Sequence, residues 1–258
     1  MSLVPFDKGD FIQVEYTAKV KETGEIFDTT VEDVAKKERL YKEGEIYEPR
    51  LVVIGEGWVL KALDDGLLSL HLDKMETIEI PQEKAFGPRD AEKLKMVPLR
   101  RLMDKGITPQ IGMRVEYDKK MATVRTVGAG RVTLDFNPPL AGKTLIYEVT
   151  AKKKLESDEE KILALIHRRV PLVDITKFQL SIKMNEVTIA VPEEAFYLEG
   201  IQLSKRGVAV DIQRFFPTNK KVDFVETFKN PSPIEAPKEA EKIRPKARVK
   251  RTKKPKAK

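Results

Sequence analysis

The first residues of the chain alternate hydrophobic and polar side chains in a way that predicts a β-hairpin. In residues 11–20 (FIQVEYTAKV), Ile12, Val14 and Tyr16 fall on one face and polar residues fall on the other. This two-residue period is that of a half-buried strand. A turn signal, KETG, comes next, and residues 25–30 return as the second arm of the hairpin.

The rest of the chain is organised around residues 51–66 (LVVIGEGWVLKALDDG). A polar loop with about one helical turn leads to an apolar β-run, which breaks at Gly55-Glu56-Gly57. Trp58 follows at the junction with a predicted short helix. The apolar stripe of that helix comprises Val59, Leu60, Leu63 and Leu67, and its polar side comprises Lys61, Asp64 and Asp65. The stretch supplies either core packing alone or the floor of an apolar pocket.

Further β-patterns follow this stretch. Residues 75–81 (METIEIP) alternate and lead into a loop bounded by proline and glycine, with Phe86 near its tip. Short β-runs then fill residues 88–138, which predict a small inserted β unit; the runs are residues 94–97, 113–117, 121–127 and 131–136. A long strand is predicted over residues 144–154.

The last third of the chain predicts an α-β-β-α-β unit over residues 155–228. Helices are predicted at residues 158–169, with Ser157 as N-cap, and at 200–215. Strands are predicted at residues 178–183, 186–191 and 222–228. The fold class is therefore α+β. Residues 229–258 combine five prolines with many lysines, a composition that predicts disorder.

The composition excludes several classes of protein. The chain has no cysteine and two histidines, His71 and His167, so disulfide frameworks and thiolate metal sites are excluded. No window approaches the roughly 18–20 apolar residues of a membrane span, and the N-terminus lacks the features of a signal peptide. We therefore expect a cytoplasmic protein that does not bind membranes. A charged fraction of 34% without cysteine is also typical of thermophiles.

The net charge of +7 is unevenly distributed. Residues 229–258 contain 12 Lys and Arg against 3 Asp and Glu, which leaves 36 against 38 in the other 228 residues. The body is thus nearly neutral. A basic arm of this kind would bind phosphate without sequence preference, so ribosome or RNA contact is one hypothesis and a solubilising end is the other. The arm has no aromatic residue to stack bases.

The order and spacing of several motifs resemble the FKBP-type peptidyl-prolyl cis-trans isomerases. The motifs are Tyr16, Phe27-Asp28, Ile54-Gly55 with Val59-Leu60, Ala85-Phe86-Gly87 and Tyr147 in the closing strand. The inserted unit, with Ile111-Gly112-Met113 and Asn137-Pro-Pro-Leu-Ala-Gly142, is similar to the insert-in-flap domain of the SlyD-like branch, and the C-terminal unit is similar to the longer archaeal members.

The resemblance implies a half-barrel, an antiparallel sheet wrapped on a short helix, formed by residues 1–87 and 139–154. It also implies an inserted-in-flap chaperone domain at 88–138, a C-terminal α/β domain at 155–228 and a disordered basic tail at 229–258. The implied pocket residues are Tyr16, Phe27, Asp28, Val59, Leu60, Leu63, Phe86 and Tyr147. No cofactor is implied. The SlyD-like branch often has a histidine-rich metal-binding tail, but this tail has no histidine, so no metal is expected.

Three departures from the family pattern affect the pocket. Leu63 stands where the family usually has a tryptophan floor, while Trp58 lies five residues earlier, where the rim is expected. Phe86 replaces the common flap tyrosine and so lacks a hydroxyl donor. Tyr147 replaces a closing-strand phenylalanine.

The residues themselves leave the core interpretation open, because most of them are also ordinary core residues. Asp28 is the most informative, since a carboxylate within an apolar hairpin costs energy unless it is hydrogen-bonded. It is either a turn cap or a site residue. We expect it to orient Tyr16 or to contact the substrate carbonyl, with the backbone N–H near Leu60 holding that carbonyl.

The leading hypothesis is a peptidyl-prolyl isomerase (rotamase) with chaperone activity on unfolded or nascent chains that contain proline. Candidate contact residues in the insert are Met96, Val97, Leu99, Leu102, Met103, Ile107 and Ile111, although at least half of them are expected to form the insert's own core. The alternative is a holdase chaperone with a degenerate pocket, tethered to ribosome or RNA by the basic tail. Residues 155–228 are candidates for a homodimer contact.

Overall fold

The computed structural model describes residues 6–228, in which the strands form three sheets and the buried apolar residues form three clusters. The mixture of antiparallel sheets with a few helices confirms the predicted α+β class. The prediction of a disordered basic tail at 229–258 lies outside the described residues. Within residues 6–228, no helix is long and apolar enough to cross a membrane.

The first sheet is built on two long antiparallel strands, β1 (Phe11–Val20) and β9 (Leu145–Leu155), which pair along their whole length with one bulge between Gln13 and Val14. Its other strands are β2 (Ile26–Thr29), β3 (Arg50–Val53) and β4 (Met75–Ile80). Both β2 and β3 pair with β1, and β4 pairs with β9. The sheet matches the alternation that the sequence shows, because every second residue of β1 is buried.

Two short helices accompany this sheet, α1 (Glu32–Lys37) in the polar loop and α2 (Lys61–Leu67) after the central β-run. Leu63 and Leu67 of α2 are buried in the core with alternate residues of β1 and β9. Gly66 lies so close to β4 that an added Cβ would meet side-chain atoms of Ile78 at 2.9–3.0 Å. The helix therefore lies tightly against the sheet.

The polar side of α2 differs from the prediction at one residue. Asp64 is buried rather than exposed, and its carboxylate accepts hydrogen bonds from the backbone N–H groups of Gly55 (3.0 Å) and Gly57 (3.4 Å). Both glycines have positive φ, at 88° and 66°, a conformation that glycine adopts readily. The loop therefore turns back over the helix and covers Asp64.

The second sheet is the inserted unit. Its strands, in the order β5-β8-β7-β6, are β5 (Leu94–Pro98), β8 (Arg131–Asp135), β7 (Lys120–Gly128) and β6 (Arg114–Tyr117). A five-residue helix, α3 (Leu99–Met103), follows β5; the sequence pattern did not predict it. Its Leu102 is completely buried with Val124 and Leu134 of the sheet.

The third sheet pairs β10 (Gln179–Lys183) antiparallel with β11 (Glu186–Val191), and β11 parallel with β12 (Lys221–Glu226). Helices α4 (Asp158–Arg169) and α5 (Ile201–Phe215) pack against it. Ser157 caps α4, as predicted, by accepting a hydrogen bond from the backbone N–H of Glu160.

The C-terminal core is shared with the first sheet, rather than separate from it. Phe11 of β1 packs edge-to-face on Phe215 at the end of α5, with ring centroids 5.2 Å apart. Val53 and Leu155 are buried in the same cluster, and Trp58 packs against it. Apolar residues on the second face of β1, β3 and β9 thus join the two units.

Candidate functional site

A small cavity of about 210 Å³ lies between the first sheet and α2. The sheet supplies residues of β1, β2, β3 and β9 to its walls, and α2 with the loop before it closes the floor. The lining residues are Val14, Tyr16, Asp28, Arg50, Val52, Trp58, Val59, Leu60, Leu63, Leu67, Tyr147 and Val149. Two charged groups, the acidic Asp28 and the basic Arg50, lie among these otherwise apolar and aromatic side chains.

Six of the eight candidate residues line this cavity: Tyr16, Asp28, Val59, Leu60, Leu63 and Tyr147. Phe27 lies behind them. It packs on the core and meets Tyr147 edge-to-face, with ring centroids 6.1 Å apart. Phe86 is not among the lining residues, and it exposes 42% of its surface on the loop after β4.

A chain of polar contacts runs along the cavity wall. The hydroxyl of Tyr16 donates a hydrogen bond to Asp28 Oδ2 at 2.7 Å and accepts one from Arg50 Nη1, also at 2.7 Å. Arg50 Nη1 lies 3.7 Å from Asp28 Oδ2, so the three groups form a triangle. Asp28 is therefore held by side-chain contacts across the hairpin, and it does not cap a turn.

Both tyrosines of the cavity are hard to ionise. Burial, with a smaller contribution from the nearby Asp28 carboxylate, raises the pKa of Tyr147 to about 12. Burial raises the pKa of Tyr16 still further, and its hydrogen bond to Asp28 adds to the shift. Tyr16 is therefore a neutral donor across the physiological pH range.

The floor and the rim of the cavity differ in chemistry. Leu63 is buried, with 5% of its surface exposed, and gives an aliphatic floor. Trp58 lies at the edge, where it packs edge-to-face on Phe215 of α5 with ring centroids 5.8 Å apart. The guanidinium carbon of Arg168 lies 3.9 Å from the centroid of the Trp58 ring. The C-terminal unit thus holds one wall residue of the cavity in place.

The sequence interpretation missed several lining residues, of which Arg50 is the most important. It opens the β-run that was taken to begin at Leu51, and by alternation it shares a face with Val52. Val14 and Val149 likewise lie two residues from Tyr16 and Tyr147 on the same strands. The two-residue period therefore contained the signal for these residues.

The histidines are engaged in pairwise contacts. His71 Nδ1 lies 2.8 Å from Glu76 Oε1, and His167 Nε2 lies 2.6 Å from Glu48 Oε1. Within residues 6–228, no group of three or more histidine, aspartate and glutamate side chains is arranged to hold a metal ion.

Comparison with known proteins decides the family. A short-type peptidyl-prolyl cis-trans isomerase of Methanocaldococcus jannaschii is 31% identical over 153 residues, which covers 59% of this chain and 96% of that protein. The chain belongs to the FKBP-type peptidyl-prolyl cis-trans isomerase family. An FKBP-type isomerase named SlyD, from Treponema pallidum, is 27% identical over 161 residues, covering 61% of this chain and 82% of that protein.

Family models also match both additional units of this FKBP-type chain. The model described as "FKBP26, IF domain" matches residues 95–140, and the model described as "FKBP26_C-terminal" matches residues 158–229. The recognised resemblance therefore extends from the half-barrel to the insert and to the C-terminal unit.

Proposed function

We propose that the chain is a peptidyl-prolyl cis-trans isomerase that accelerates rotation about X-Pro bonds in unfolded or nascent polypeptides in the cytoplasm, with the 210 Å³ cavity as its site. The observation that carries the proposal is the apolar cavity with the Tyr16–Asp28–Arg50 triangle in its wall, found in a chain of this family. Curated relatives are named as isomerases of this kind.

Isomerisation of an X-Pro bond requires an apolar environment rather than a nucleophile. An X-Pro amide rotates over a barrier of about 18–20 kcal/mol because resonance holds it planar. The twisted transition state loses that resonance and with it part of the charge separation across the amide. An apolar cavity therefore favours the twisted form over the planar one, and this differential binding is catalysis.

The lining residues divide into an apolar and a polar set. Val59, Leu63 and Tyr147 would contact the proline ring, with Phe27 supporting Tyr147 from behind. The backbone N–H of Leu60 has no hydrogen-bond acceptor among the described residues, and it would donate to the substrate carbonyl. Asp28 would orient the Tyr16 hydroxyl and would not act as a general base.

Phe86 would contact the substrate only when a proline occupies the cavity. It stands on an exposed loop beside Gly87, outside the cavity. A bound proline would give its ring an apolar surface to cover.

We also propose that residues 88–138 act as a chaperone domain attached to the isomerase domain. Val97 and Leu102 are buried in the insert's core, and Leu99 and Ile107 pack against it. The other three candidates remain exposed: Met96 by 62%, Met103 by 58% and Ile111 by 72%. Met113 and Met121, which the sequence interpretation did not select, are exposed as well. Methionine adapts to varied partners, and tethering raises the local concentration of substrate beside the cavity.

The test is the cis-to-trans relaxation of a short X-Pro peptide. We expect the full chain to accelerate it, and we expect Asp28→Ala and Phe86→Ala to lose most of the acceleration. Asp65→Ala, an exposed acidic residue on α2, is the matched control and should behave as wild type. Absence of acceleration by folded wild-type protein would overturn the proposal.

That outcome would favour the second candidate, a holdase chaperone with a degenerate pocket. Its support is the aliphatic floor at Leu63 and the position of Phe86 outside the cavity. Suppression of aggregation without any acceleration of the peptide would identify a holdase.

Two partner proposals concern the rest of the chain. The basic residues of 229–258 would tether the protein to ribosome or RNA, and removing these residues should abolish salt-sensitive RNA binding. A homodimer through 155–228 would use apolar side chains such as Tyr197 (82% exposed) and Leu203 (75% exposed). Sedimentation of the wild-type full chain and of its Leu203→Asp variant tests the dimer. If both have the mass of a monomer, the dimer is excluded.

A further inference from the structure

A second and larger cavity, of about 710 Å³, lies between the half-barrel and the C-terminal unit. On one side it is bounded by the loop that leads into β3, and on the other by α4 and the segment after it. Its apolar lining includes Ile46, Pro49, Leu51, Leu163, Leu172 and Ile175. The volume falls within the range of about 300–1,000 Å³ that is typical of ligand pockets.

Several polar groups of this cavity are paired with one another or with an aromatic ring. Glu48 and His167 lie 2.6 Å apart and join the two sides. Arg168 is directed to the Trp58 ring. Leu172 exposes 70% and Ile46 exposes 37% of their surfaces. Two large apolar side chains thus meet water at a concave surface, where a ligand could cover them.

Two residues connect this cavity to the smaller one. Arg50 lines both cavities, and its guanidinium also donates to Tyr16. Arg168 lines the larger cavity and covers the ring of Trp58, which lines the smaller one. Arg50 and the Trp58–Arg168 contact therefore mark the edge that the two cavities share, and a polypeptide that occupied both would pass Arg50.

We infer that the larger cavity is a second subsite of the isomerase, which takes an apolar side chain of the same polypeptide that places its proline in the smaller cavity. The inference rests on the proposed function. The occupant is an extended, unfolded segment, because a chain with residues in both cavities has to pass Arg50, which lines each of them. The charged residues of the lining have both signs, among them Glu48 and Arg168, so a uniformly basic segment such as 229–258 is not favoured.

The experiment compares two labelled peptides on the full chain by fluorescence anisotropy. Each peptide has about 15 residues, which extend to about 50 Å, with one central proline. One carries leucines four to six residues on either side of the proline, and the other carries serines there. We expect wild type to bind the leucine peptide about tenfold more tightly, as burial of one leucine side chain predicts.

The variants are chosen to be exposed, so that the fold is retained. Ile46→Asp and Leu172→Asp should remove the preference for leucine, while the relaxation rate of a tetrapeptide, too short to reach the second cavity, stays unchanged. Met184→Asp, 86% exposed in the C-terminal unit and outside the lining, is the matched control and should keep the preference.

Retention of the preference in Ile46→Asp and Leu172→Asp would overturn the inference, and so would an equal loss in Met184→Asp. A chain ending at residue 228 that binds the leucine peptide more tightly than the full chain would also overturn it, because the tail would then be the occupant. Failure of the proposed function looks different, since wild type would then fail to accelerate the tetrapeptide, while the anisotropy comparison would still report on the second cavity.

Discussion

The hydroxyl of Tyr16 donates a 2.7 Å hydrogen bond to Asp28 across the β1–β2 hairpin, while it accepts one from Arg50. A hydroxyl has one proton to donate, so the guanidinium sets the direction in which that proton points. The Asp28 carboxylate is thereby held at the cavity with a hydrogen-bond donor and a cation beside it. This contact joins an aromatic wall residue to both charged groups of the site.

We predict that Tyr16→Phe lowers kcat/KM for a proline tetrapeptide about three- to tenfold, equivalent to about 0.7–1.4 kcal/mol of transition-state stabilisation. The ring would stay in place while Asp28 loses its donor. The effects of Tyr16→Phe and Asp28→Asn should not add, because both remove the same contact. Tyr47→Phe removes a hydroxyl hydrogen-bonded in the loop before β3 and is the control. Strict additivity of the two cavity variants would contradict the coupling.

Asp64 offers a prediction about stability. Its buried carboxylate accepts hydrogen bonds from the backbone N–H groups of Gly55 and Gly57. Asp64→Ala removes these bonds to a charged acceptor, which costs about 1.5–3 kcal/mol. Asp65→Ala, next to it with a 62% exposed side chain, should change the free energy of unfolding by less than about 0.5 kcal/mol. Urea unfolding followed by Trp58 fluorescence measures both. Equal effects would show that the loop does not depend on Asp64.

Because of the tyrosines of the cavity, we expect the free energy of unfolding to decrease at alkaline pH. Burial raises the pKa of Tyr147 from 10.0 to about 12 and that of Tyr16 further. Between pH 10 and 12 the unfolded chain therefore loses protons that the folded chain keeps, so the stability that is present below pH 10 falls as pH rises. Urea unfolding of wild type and Tyr147→Phe at several pH values tests this. The variant should show a shallower fall above pH 10, and identical slopes would contradict the prediction.

The exposed apolar surface of the insert predicts a separation of two activities. Replacing Met96, Met103 and Ile111 together by serine should weaken suppression of client aggregation several-fold. The tetrapeptide relaxation rate should stay unchanged, because these residues lie outside the cavity. Serine at Met75 and Met184, which are exposed by 67% and 86% in the other two units, is the matched control. If the triple variant suppresses client aggregation as well as wild type does, this surface is not the client contact.

Local patterns predicted much of the fold. The ten residues of β1 and the twelve of α4 match the predicted bounds, because each has one buried face and a clear period. The short helix α3 was missed, since five residues are too few to show a helical period. Within the described residues, the fold class follows from such elements without any knowledge of how they pack.

Long-range contacts explain what the patterns could not predict. A helical projection places Asp64 on the polar side, but the Gly55–Gly57 loop folds back over it. Trp58 was expected at the rim of the pocket and lines the cavity, but no local pattern indicated that Phe215 and Arg168, more than 100 residues later, pack on it. Arg50, by contrast, could have been found from alternation with Val52 alone. The larger cavity depends on how two units pack together, and local sequence patterns do not predict that packing.

The most direct test of the central account is a titration of the isotope-labelled full chain with a proline tetrapeptide, followed by amide chemical shifts. If the smaller cavity is the proline site, the amides of Val59, Leu60 and Tyr147 will shift, and the same peptide with alanine in place of proline will leave them unchanged. Shifts confined to the insert, or equal shifts with both peptides, would contradict the assignment of the smaller cavity as the proline site.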